Sequence, residues 1–124
     1  MHKIKIGHGI FQEEIETELD SKGFHVYNQK KAKDGCYPYT FSGYKNINFV
    51  DVSIGEIYTI RLFVKLKIKK MEKIDSGLID IQIISKSENK ITGKILTELP
   101  HDFPVLKGAN IEVKIEELLY EQNY

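Results

Sequence analysis

The longest regular stretch in the chain, YTIRLFVKLKIKK at residues 58–70, constrains the fold more than any other feature. Tyr58, Ile60, Leu62, Val64, Leu66 and Ile68 take one set of alternate positions, while Thr59, Arg61, Lys65, Lys67 and Lys69 take the other. Successive side chains of a strand point to opposite faces, so this pattern predicts a long strand with one apolar and one wet face. Strands of parallel sheets are buried on both faces; a two-faced strand belongs in an antiparallel sheet. Phe63 alone breaks the alternation.

The same period returns in LIDIQIIS (78–85), ITGKIL (91–96) and IEVKI (111–115). SKSENK reads as a turn between the first two, MEKIDSG (71–77) as a loop before them, and LPHDFPVLKGAN as a connection broken by two prolines. KIKI (3–6), FHVYN (24–28) and INFVDVSI (47–54) read as shorter strands, and residues 29–46 as a long loop or irregular hairpin. Only residues 10–22 carry a helical signature. Phe11, Ile15 and Leu19 share one face, acids crowd the first turns where the helix dipole favours them, and Gly23 follows as a stop. The expected fold is α+β: one N-terminal helix packed on a strongly bent, mostly antiparallel sheet or small β-barrel of five to seven strands, as a single domain over 1–124. Gly93, between Ile91 and Ile95 on one face, is read as a place where the strand bends or a large neighbour packs close.

A chain of 124 residues, 41% hydrophobic and 29% charged, can bury a core without staples. No apolar run approaches the roughly 20 residues of a membrane helix, the start lacks a signal-like apolar stretch, and Cys36 is the single cysteine. These features predict a cytoplasmic protein with no membrane association. Eighteen acids balance eighteen bases, so no global charge draws it to nucleic acid or lipid. Locally the signs separate: Glu13, Glu14, Glu16, Glu18 and Asp20 lie together, as do Arg61, Lys65, Lys67, Lys69, Lys70 and Lys73.

Catalytic and metal chemistry find little support. His2, His8, His25 and His101 are scattered without ligand spacing, so no metal and no cofactor are expected. Nothing around Cys36 resembles a nucleophile elbow. VDVSIG (50–55) is similar to the Asp/Asn-x-Ser-x-x-Gly element of cyclic-di-GMP-binding PilZ domains. It is one residue short, and the paired upstream arginines are absent, so a strand end with a glycine turn is the reading kept. Two stretches offer binding surfaces. Tyr37, Tyr39, Phe41 and Tyr44 would be aromatic anchors if exposed and core cover if not, the second being favoured. The basic face of 58–70, with Arg61, Lys65, Lys67 and Lys69, would track phosphates or simply guard a sheet edge.

The C-terminal half resembles the YegJ-like bacterial domains of unknown function. The residues carrying the likeness are FVKLKI (63–68), LIDIQII (78–84), KITGKILTELP (90–100), LKGANIEV (106–113) and EELLY (116–120). On this reading Gly93 matches a hairpin glycine, Pro100 a proline, Gly108 the glycine opening the last strand and Tyr120 a terminal tyrosine. The resemblance implies a compact α+β domain and no particular activity.

The leading expectation is therefore a small cytoplasmic binding protein with a protein partner, such as an immunity protein or inhibitor, using Glu13 and Glu16 of the acidic helix against a basic surface. Nucleic-acid or nucleotide binding through the lysines and tyrosines is the alternative, an enzyme of unknown type the second alternative, and homo-oligomerisation is open.

Overall fold

A computed structural model describes residues 6–38, 47–68, 70–100 and 102–122, with Lys67 and Ile68 described by their backbone only. Chain order runs α1 (Gly9–Lys22), β1 (Phe24–Val26), α2 (Gln29–Lys33), β2 (Ile57–Ile68), β3 (Met71–Ser87), β4 (Lys90–Ile95), β5 (Asn110–Lys114) and β6 (Tyr120–Gln122). Single 3-10 turns sit at Phe49–Asp51 and Ile115–Glu117. The fold is α+β, with α1 packed on a six-stranded, antiparallel and strongly curled half-barrel. Strand order is β1-β2-β3-β4-β5, and β6 also pairs with β2. β6 takes Ile57–Thr59 and β1 takes Leu62–Val64, so the two share one edge of β2.

The alternating stretch does what its period dictates. Tyr58, Ile60, Leu62, Val64 and Leu66 point into the half-barrel with Ile79, Ile81, Ile83, Ile91, Ile95, Ile111 and Val113. Phe63 is the exception because it faces the other way, under α1, among Phe11, Ile15, Leu19, Tyr27, Tyr37 and Leu119. One aromatic on the wet face thus marks where the helix covers the sheet. Curling is helped by an irregularity in β3 between Ile83 and Ser85 and by Gly93. A Cβ at Gly93 would stand 2.7 Å from Ile81 Cδ1 and 2.9 Å from Ile81 Cβ, so the bare backbone there makes room for Ile81. The β3–β4 turn puts Glu88 and Asn89 at positive φ (47° and 67°), the two-residue form that matches strand twist.

Several expectations are corrected. Residues 71–77 are not a loop: they continue β3, paired in unbroken register from Ile68↔Met71 to Leu62↔Gly77. Ladder bonds and the cross-strand ion pair of Lys65 with Glu72 override the weak local propensity of MEKIDSG. Residues 47–54 are not a strand; their β-branched side chains go to the 3-10 turn and a tight turn closed by Gly55 at φ 96°. Residues 29–33 form α2, because the Asn28 side chain accepts the Lys31 N–H as an N-cap. The first turn of α1 holds no acid; instead Gln12 Oε1 accepts the N–H groups of Ile6 and Gly7. The expected 3–6 strand falls largely outside the described residues.

Candidate functional site

Behind β2, where α1 meets β1, the sequence brings a chain of polar groups into an aromatic pocket. His25 Nδ1 lies 2.9 Å from Glu18 Oε2, and its Nε2 lies 2.8 Å from the Tyr37 hydroxyl. That hydroxyl accepts the Asn28 N–H at 3.1 Å. With Nδ1–H donating to the carboxylate, Nε2 of a neutral ring is the acceptor for the Tyr37 proton. The His25 hydrogen bond holds the Glu18 carboxyl below the usual carboxylate range, and burial pushes the Tyr37 hydroxyl well up. The order carboxylate–imidazole–hydroxyl is that of a relay, but Tyr37 is 3% exposed and packs edge-on against Phe11, 5.1 Å between centroids. A hydroxyl so enclosed fastens the segment after α2 to β1 and α1.

Two hollows flank this chain. One of about 180 Å³ opens where the edges of β1 and β5 approach, lined by Val26, Val113, Lys114, Glu18 and Glu117. Burial raises the Glu117 carboxyl to about 7, although the Lys114 N–H donates to it at 2.8 Å. A wider groove of about 390 Å³ lies between α2 and the turn at 115–117, lined by Gln29, Lys30, Lys33, Ile47, Ile115 and Glu116.

At the opposite end of β2, residues 49–56, read from sequence as a strand end with a glycine turn, form a surface feature. Val50 and Ile54 are 82% and 68% exposed, while Val52 between them is buried in the half-barrel. Lys86 Nζ donates to the carbonyls of Phe49 and Val52 and lies 4.6 Å from the Phe49 ring centroid. Glu56 Oε1 accepts the Ser53 N–H, and Gly55 N–H donates to Ile83 O at 2.8 Å. Two bare aliphatic side chains are therefore held on a turn tied down from three sides. The turn and the start of β2 also carry carboxyls. Asp51 is exposed on the turn, and Glu56 lies against Glu121 of β6. The Ser53 N–H holds Glu56 below its usual range, whereas the hydrogen bond to Glu56 raises Glu121, as for two carboxyls sharing a proton. Burial and the nearby Glu56 push the Tyr58 hydroxyl up to about 12, so it keeps its proton and donates to Glu56 at 3.3 Å. The signal that would have found this turn is Ser53-x-x-Glu56 around Gly55, a side-chain-to-backbone lock in place of a continued strand.

The residues singled out from sequence do not converge. Tyr37 is core, as the favoured of its two readings has it, and not an exposed anchor; Tyr39, Phe41 and Tyr44 lie outside the described residues, as does Lys69. Lys65 is tied to Asp20 at 2.8 Å and Glu72 at 3.5 Å, and the Asp20 hydrogen bond raises its pKa. Arg61 is half-buried, its carbonyl accepting the N–H of Tyr27 just past β1. Lys67 is placed in β2 opposite Glu72. Glu13 is exposed on α1, and Glu16 is half-buried, accepting from Gln12 Nε2 at 2.9 Å. Among the described residues no group of three or more His, Cys, Asp or Glu side chains could hold a metal, and no helix is long and apolar enough to cross a membrane. Compared with family models, curated proteins and solved structures, the chain matches none. The resemblance to YegJ-like domains rests on the residues quoted for it.

Proposed function

We propose that this is a binding protein that docks on a protein partner and blocks it, in the manner of an inhibitor or immunity protein. The observation that carries the reading is the clamped turn, where Val50 and Ile54 stand exposed on a backbone held by Lys86. Binding hot spots are rigid apolar anchors surrounded by polar groups, and a turn already fixed in the free protein loses little entropy on docking. Asp51, Glu56 and Glu121 favour a partner with a basic rim, and the outer face of α1, where Ile10 is 78% exposed beside Glu13, adds the same sign. Val50→Ser/Ile54→Ser should fold like the parent yet lose about thirtyfold or more in affinity for whatever the parent captures from its own cells. Equal capture by parent and variant, or none by either, would remove the proposal.

Nucleic-acid binding is the second reading, favoured by Lys70 and Lys73 at the exposed end of the β2–β3 hairpin and weakened by the pairing of Lys65. Its test is the salt dependence of binding to single-stranded oligonucleotides; no binding at low salt would dismiss it.

A further inference from the structure

The β2–β3 hairpin outruns the rest of the sheet. β4 pairs β3 only over Ile81–Ser87, with Leu96 and Thr97 reaching back to Asp80, whereas β3 starts at Met71. The Asp80 N–H and C=O point away from β2, toward Thr97 and Leu96, and the β2–β3 register is unbroken. By alternation, the N–H and C=O groups of Glu72, Ile74, Ser76 and Leu78 also point outward. They form a strand edge that β4 does not cover. The Ser76 N–H is met by its own neighbour, Asp75 Oδ1, at 2.9 Å.

We propose that this edge pairs with the same edge of a second copy of the chain, antiparallel about a two-fold axis at Ile74. A two-fold between sheet edges requires antiparallel pairing of identical segments, so only the register is open. Centring on Ile74 sets Glu72 opposite Ser76 as hydrogen-bonded pairs, and sets Lys73 opposite Asp75 twice. Those charged residues fall at the positions where facing side chains come closest. Met71, 75% exposed, then lies over Gly77, where a Cβ would have no neighbour within 4 Å. Moving the centre to Asp75 opposes Asp75 to itself, and moving it to Lys73 opposes Lys73 to itself. Centring on Ser76 sets Glu72 against Asp80, and centring on Glu72 sets that acid against itself. Among registers centred from Glu72 to Ser76, the stretch farthest from β4, only the Ile74 register is free of like-charge pairs. Charges on a free edge ordinarily repel added strands; here their signs are arranged to fit their own copy.

Sedimentation of the full chain over a concentration series tests this, with a dimer of the 14.4 kDa chain expected. Asp75→Lys sets lysine against lysine at two symmetry-related positions and should weaken the dimer about tenfold or more. Lys73→Asp/Asp75→Lys restores opposite charges and should return affinity to near the parent's, with circular dichroism confirming that all three proteins fold. A monomer at every concentration would overturn the pairing and leave the edge to a foreign strand. A dimer indifferent to Asp75→Lys, or one the double exchange fails to restore, would overturn the register and with it the proposal. Because Val50 and Ile54 lie on the far end of β2, their double variant should dimerise normally.

Discussion

The two faces of β2 hold two cores built by different means. Inside the half-barrel, aliphatic side chains from β2, β3, β4 and β5 meet in alternation, held mainly by the backbone ladders of the sheet. Behind the sheet, α1, β1 and the segment ending at Tyr37 gather Phe11, His25, Tyr27 and Phe63, joined by side-chain hydrogen bonds from Glu18 to Asn28. The first core fails when volume is wrong. The second fails when a polar partner is missing. That difference orders the substitutions that break each.

Ile81→Ala, in the centre of the half-barrel, should cost about 2–5 kcal/mol in denaturant unfolding, the largest effect expected. Gly93→Val drives a branched side chain into Ile81 and should cost about 1–3 kcal/mol. The two changes together should cost less than their sum, because the alanine vacates the space that the valine needs. Additive losses would mean that Gly93 serves something other than packing against Ile81. On the helix side, Tyr37→Phe keeps the ring but strips partners from His25 Nε2 and the Asn28 N–H, for about 1–3 kcal/mol.

The smallest effect is the pH response of Glu117. Its carboxyl is raised from 4.5 to about 7 in the fold, so the native state prefers the protonated form. Stability from this group is present below pH 4.5 and is lost as pH climbs toward and past 7. Glu117→Gln mimics the protonated group, so it should match the parent in acid and exceed it by about 1 kcal/mol at pH 8, after allowance for solvent screening. Glu18 opposes this trend: its lowered pKa contributes stability above its ordinary value of 4.5 that is lost as pH falls. Unfolding midpoints at pH 4 and pH 8 separate the two.

The inner core was legible because period two places Ile60, Leu62, Ile81 and Ile83 without knowledge of any distant partner. Gly93 was legible for the same reason, since Ile91 and Ile95 fixed its face. The helix-side core was legible only in its apolar part, where Phe11, Ile15 and Leu19 share a helical face and Phe63 breaks an otherwise strict alternation. Glu18, His25 and Tyr37 are brought together by the fold, and nothing in their spacing distinguishes a buried hydrogen-bonded tyrosine from an exposed one. In 49–56 the glycine turn was legible but the rest was taken for a strand, because Val50, Val52 and Ile54 imitate strand alternation; the lock comes from Lys86, more than thirty residues away along the chain.

If the two cores are separate units joined at β1 and β2, loosening one should leave the other's protection intact. Hydrogen exchange of the parent and Tyr37→Phe, read segment by segment, measures this directly. Faster exchange confined to α1, β1 and residues 27–38, with β3 and β4 unchanged, is the expected result. Exchange accelerated equally from α1 through β4 would contradict it and make the molecule a single cooperative core.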